Sequence, residues 1–138
     1  MGWLPLTYDH ATCTRRTTSI SGRLRQRLLG VKEAARCIIC GRELPVNLLI
    51  AAYIKRRSAC TMEERLDFEN IAAPMCLLGC GALFERGLIY ATHQGWQLAE
   101  TLPASLKDQV VLTEGREFIT DDNKKYFEWH RKQVAENR

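Results

Sequence analysis

Four cysteines form two close pairs, Cys37-x2-Cys40 and Cys76-x3-Cys80, separated by 35 residues. Two thiolates held two or three residues apart can face one ion from a tight turn, and two such pairs complete the tetrahedral shell that zinc prefers. Gly41 directly follows Cys40 and suits the sharp turn of a zinc knuckle. Zinc held by Cys37, Cys40, Cys76 and Cys80 would have no open coordination position, so it would stabilise the fold and do no chemistry. The alternative is four reduced, buried thiols without an ion. Cys13 and Cys60 lie in polar segments and are read as incidental.

A second group of chemically capable residues is Tyr53, Lys55, Arg56 and Arg57, with Asn70 downstream. Three cations beside a phenol can hold a phosphate or carboxylate without a metal. A longer basic stretch precedes them. Arg15, Arg16, Arg23, Arg25, Arg27, Lys32 and Arg36 fall in one span that contains a single acid, Glu33. It is either a solvated helix face or a surface for phosphates. The net charge of +4 is by itself weak evidence for an anionic partner.

The elements that must position these groups are legible from periodicity. Ile20, Leu24, Leu28, Val31 and Ala35 recur at helical spacing, so 19–36 reads as an amphipathic helix capped by Ser19 or Ser21 and interrupted by Gly30. Residues 48–54, LLIAAYI, read as a strand, 58–69 as a polar connection, and 70–75 as the returning strand. A short helix over 81–86 is stopped by Gly87. A hairpin turning at 93–95 follows, then a helical turn near 103–109 and a C-terminal helix over 122–136. Residues 1–18 read as an N-terminal arm with Trp3, Leu4, Leu6 and Tyr8. Residues 19–138 read as one domain, a size that supports a modest core.

The segment LIAAYIKRRSACTMEERLDFENIAAPMCLLGCGALFERGLI, residues 49–89, closely resembles the HNH (ββα-metal) endonucleases. The nearest pattern is a bacterial subgroup that runs roughly AAHIKPRS…EERLD…N…C…GCDALFERGLI. YFEWHRKQV, residues 126–134, is also similar to the C-terminal helix of that subgroup. The resemblance implies an α+β fold: a small zinc-stabilised ββα-metal domain with flanking N- and C-terminal helices, and a structural zinc at the four cysteines. It implies a general-base histidine at position 53 and a metal ligand at position 81. It gives Asn70 as the residue that orients that histidine or braces the loop, and Lys55 and Arg57 as basic residues flanking the active site; Lys55, Arg56, Arg57 and Asn70 are the expected ligand-binding residues.

Both of the hydrolytic residues that the resemblance calls for are missing. Tyr53 replaces the base, and a phenol with a pKa of about 10 is a poor base at neutral pH. Gly81 replaces the ligand, and Ala52 stands where many HNH proteins carry a second one. Arg56 replaces a proline, adding charge and freeing the loop from proline's fixed φ. His130 is a further candidate for catalysis, with packing as its default role. Three readings follow: a nuclease-dead module that binds nucleic acid or another anion in the former cleft; an enzyme acting on a small molecule through Tyr53; and, last because two losses would need compensation, a working metal-dependent endonuclease. No apolar run approaches the ~20 residues of a membrane span. MGWLPLTYDH lacks the basic start and apolar stretch of a signal peptide, so the expected compartment is the cytoplasm.

Overall fold

The computed structural model of the protein describes residues 19–136; the expected arm over 1–18, with His10 and Cys13, lies outside them. The chain there is mixed α+β, with three two-stranded antiparallel sheets and five α-helices among the described residues. Helix α1 (Ile20–Leu29) opens on Ser19, whose side chain accepts from the Gly22 amide. It ends at Gly30, shorter than the apolar spacing predicts. The six residues beyond that end carry a different bonding pattern. Ala34–Arg36 form β1, paired with β2 (Glu43–Pro45), and Val31 is 95% exposed. Strand pairing across the knuckle wins over a helix that Gly30 already weakens.

β1 and β2 enclose the first cysteine pair. The Cys37 amide donates to the Arg42 carbonyl at 3.0 Å, and Gly41 N–H returns to the Cys37 carbonyl at 2.9 Å. Gly41 has φ +77°, a left-handed conformation open to glycine without a Cβ clash. The Ile38 amide then donates to the Pro74 carbonyl, which fastens the knuckle to the central hairpin.

That hairpin is β3 (Leu49–Tyr53) and β4 (Ala72–Cys76), in register from Leu49↔Cys76 to Tyr53↔Ala72. The connection holds a short helix, α2 (Met62–Arg65), closed by a reciprocal capping box between Thr61 and Glu64. Helix α3 (Cys80–Glu85) follows β4 directly. The hairpin β5 (Ile89–Thr92) and β6 (Gly95–Leu98) turns at His93–Gln94. A single turn, α4 (Ala104–Lys107), precedes the long helix α5 (Lys124–Glu136).

One apolar core joins these parts: Leu24 from α1, Ile39 from the knuckle, Leu49 and Met75 from the central hairpin, Phe84 from α3, Tyr126 and Phe127 from α5. Phe84 is its aromatic centre. Trp96 and Phe127 meet it edge-on at 6.3 and 6.4 Å, and the His130 ring stacks on it at 3.7 Å. Trp96 Nε1 donates to the Ile38 carbonyl at 3.2 Å, so the second hairpin is tied to the knuckle as well. No helix among the described residues is long and apolar enough to cross a membrane.

Candidate functional site

The knuckle and the start of α3 bring Cys37, Cys40, Cys76 and Cys80 together. Their four sulfurs lie within 4.8 Å of one another, and all four residues are buried. A tetrahedral ion with sulfur ligands at about 2.3 Å separates them by roughly 3.8 Å, so small side-chain adjustments suffice. The Cys40 and Cys76 sulfurs are already 4.0 Å apart. These four cysteines could hold one metal ion, and the set is compatible with zinc. The electrostatics favour a cation. Hydrogen bonding from Cys80 pulls the Cys37 thiol down, the same bond and burial push Cys80 up, and burial pushes Cys40 up. Cys60 stands apart. It is 7% exposed, and its sulfur lies 3.4 Å from the carbonyls of both Lys55 and Arg56, closing the basic loop.

A second feature opens between the end of β3, the end of α3 and α5. It is a cleft of about 720 Å³, within the usual range for small-molecule sites. Arg56 and Arg57 enter it from the segment after β3, Arg86 from the end of α3, and Trp129, His130 and Gln133 from α5. Glu85 and Glu100 also line it. Arg57 and Arg86 take part in none of the ion pairs among the described residues. The Arg56 guanidinium lies 6.0 Å from the Trp129 ring centre, the range of a cation–π contact.

The predicted site residues divide between this cleft and its supports. Tyr53, Arg56, Arg57 and His130 line it; Lys55 and Asn70 do not. Lys55 donates to both oxygens of Glu64 at 3.0 and 3.1 Å. That pair, with the Thr61 amide, holds the Glu64 carboxyl below its usual range, the amide being the larger cause. Asn70 donates to Asp67 Oδ1 at 2.8 Å, and Tyr126 donates to Asp67 Oδ2 at 2.7 Å. Lys55 and Asn70 thus brace the loop. The Tyr53 hydroxyl is 3.3 Å from Ser21 Oγ, so its phenol is turned to α1.

Position 81 is filled from the opposite direction. Gly81 is buried, and a β-carbon on it would stand 2.7 Å from Ile50 Cδ1. The end of the Ile50 side chain would have to shift to admit a β-carbon there. Among the described residues, the four cysteines are the sole group of three or more Cys, His, Asp or Glu side chains close enough to share an ion.

Three arginines of the basic segment, two on α1 and one on β1, bond within the fold. Arg25 donates to the Leu49 and Val46 carbonyls at 2.8 and 3.0 Å, Arg27 pairs with Glu69 at 3.0 Å, and Arg36 donates to the Gly41 carbonyl at 3.1 Å. Their charge serves the fold before any ligand. Sequence reasoning passed over Arg86, Trp129 and Gln133. Only the i, i+4 relation of Trp129 and Gln133 on α5 hinted that they share a face.

His130 is 7% exposed. Its Nε2 lies 2.6 Å from the Phe84 carbonyl oxygen, and its Nδ1 is buried without a partner. Burial, with the positive charge of Arg56, lowers its pKa; the Phe84 carbonyl opposes them. Burial thus favours the uncharged ring. Comparisons with models of known protein families and with curated proteins gave no match for this chain.

Proposed function

We propose that this chain is a divergent HNH-like protein that binds a small anionic molecule in the cleft between β3, α3 and α5 and does not hydrolyse phosphodiesters. In this reading β3, β4 and α3 form a ββα-metal unit, and Cys37, Cys40, Cys76 and Cys80 hold a structural zinc. The observation that carries the reading is the cleft itself: three arginines from two separate segments line a concavity of small-molecule size, against two glutamates, Glu85 and Glu100. Guanidinium groups bind carboxylate and phosphate through paired hydrogen bonds and need no metal to do so. The glycine at position 81, which offers no ligating side chain, and the tyrosine at position 53 argue against a catalytic divalent ion. The internal bonding of Arg25, Arg27 and Arg36 argues against a broad nucleic-acid face.

A second reading is favoured by Tyr53, which lines the same cleft. Released from Ser21, its phenol could donate a proton to a ligand held by the arginines, making the site an enzyme's active centre. Tyr53→Phe separates the two: binding survives in both, and turnover is lost in the second.

The test compares labelled duplex DNA with small carboxylates and phosphomonoesters on one preparation. Binding of small anions that falls on Arg57→Ala or Arg86→Ala, with no duplex cleavage in magnesium, manganese or nickel, supports the reading. Tight duplex binding with a steep salt dependence, unaffected by those substitutions, overturns it in favour of a nucleic-acid module. Metal-dependent cleavage overturns it in favour of a nuclease.

A further inference from the structure

We infer that the cleft takes a small zwitterion: Glu85 receives the ammonium group of a ligand whose anionic group the arginines hold, and an α-amino acid is the simplest molecule of that class. The inference rests on the reading of the cleft as an anion site and names what the anion must also carry.

The cleft presents charges of both signs. Glu85 and Arg86 are consecutive at the end of α3, Arg56 and Arg57 follow β3, and all four line the cavity. All four are exposed, so a ligand can reach them. Yet none of the ion pairs among the described residues joins Glu85 to Arg56, Arg57 or Arg86. Lys55, in the segment after β3, shows the contrast: it closes on Glu64 at 3.0 Å. Glu85 therefore stands beyond ion-pair distance from the three guanidinium groups, and one cavity of about 720 Å³ holds separate positive and negative poles.

The fold makes no evident use of the Glu85 charge. The residue ends α3, where a helix favours cations over carboxylates, and the Arg86 amide already serves the Ala82 and Phe84 carbonyls there. A ligand ammonium would give this carboxylate a charge-assisted hydrogen bond. The arginines would take the ligand's carboxylate in paired hydrogen bonds. Ala51, Ala99, Trp129 and Val134 also line the cavity and suit an apolar side chain on the same molecule.

The test titrates the full chain at neutral pH with two matched pairs, propionate against L-alanine and 3-phenylpropionate against L-phenylalanine, each pair differing by one ammonium group. Calorimetry reads affinity, and the ¹³C resonance of the Glu85 carboxylate reads the contact. The expected result is that the amino acid of at least one pair binds about tenfold or more tightly than its partner. It moves the Glu85 resonance, and its advantage disappears in Glu85→Gln. Equal affinity within both pairs, or tighter binding of the simple acids, overturns the zwitterion and leaves the anion site standing. An advantage that survives Glu85→Gln, or a Glu85 resonance that the amino acid does not move, overturns the role of Glu85. Binding of none of the four contradicts the anion site itself. If Glu85→Gln does not fold, the wild-type carboxylate resonance decides.

Discussion

Gly81 backs onto Ile50 so closely that a β-carbon on residue 81 would lie 2.7 Å from Ile50 Cδ1 and 3.5 Å from the Cys76 carbonyl oxygen. Real carbon atoms do not approach to the first of these distances, so Ile50 would have to move for any side chain to enter. The strand alternates its faces. Ile50 therefore meets α3 while the Tyr53 hydroxyl meets Ser21 of α1. Positions 53 and 81, which the HNH resemblance makes partners around one ion, are each engaged with a different neighbour.

Gly81→His should accordingly destabilise the fold by roughly 1–3 kcal/mol through overpacking, read as a lower denaturant midpoint. Ile50→Ala should cost stability on its own. The double variant should cost less than the sum of the two, because the smaller side chain vacates the space the histidine needs. Strict additivity would show that the two positions do not compete.

The four-cysteine cluster should contain about one equivalent of tightly bound metal, zinc on the proposed reading. Free energy of order 10 kcal/mol is typical of structural zinc and appears directly as folding free energy. Cys37→Ser or Cys80→Ser, or a strong chelator, should therefore unfold the domain or abolish its cooperative melt. Metal analysis with far-UV circular dichroism checks this. A metal-free sample with an unchanged melt contradicts it.

Acid should act partly through His130. Its folded pKa lies below the ordinary histidine value, so above about pH 6.5 the folded and unfolded forms are both neutral and it contributes no pH dependence. As pH falls through 6.5 toward the lowered folded value, the unfolded chain binds a proton that the folded one resists, and stability declines. Glu64, held low by the Thr61 amide and Lys55, loses its contribution only at lower pH. Denaturation of His130→Phe between pH 7 and 5 should show a shallower slope than wild type; identical slopes would mean that His130 is not the group responsible.

Two tyrosines should respond differently to loss of their hydroxyls. Tyr126 is buried and donates to Asp67 at 2.7 Å; burial and the adjacent carboxylate push its pKa up. Tyr126→Phe should cost about 1.5–3 kcal/mol, as for a hydrogen bond to a charged group. Tyr53, with a single 3.3 Å contact to Ser21, should cost about 0.5–1.5 kcal/mol as Tyr53→Phe. Urea midpoints in the reverse order would contradict the described hydrogen bonding.

Much of this arrangement was legible in the sequence because it rests on local signals. The cysteine spacing identified the four residues that cluster, and the Ser19 cap, the apolar run LLIAAYI and Gly87 after α3 marked element boundaries. The misses have a common cause. Periodicity carried α1 through to Arg36, but strand pairing of Ala34–Arg36 with Glu43–Pro45 is a tertiary competition that helical spacing does not register. Lys55 and Asn70 were expected in the cleft with Tyr53. Which partner a cation or an amide finds depends on the loop's path, and here Glu64 and Asp67 reach them first. Cys60 was read as part of a polar loop, yet the loop folds over it and buries it. Arg86 and Trp129 lie more than forty residues apart in sequence, and no local pattern connects them to one cleft.

The central claim is that an anion seats in the cleft. A ¹H–¹⁵N titration of the full chain with malate tests it most directly. The account predicts amide shifts gathered at 53–57, at Arg86 and at 129–133, strongly reduced in Arg57→Ala and in Arg86→Ala. Shifts gathered instead on the outer face of α1 around Arg23 and Arg27, or no shifts at all, would contradict it.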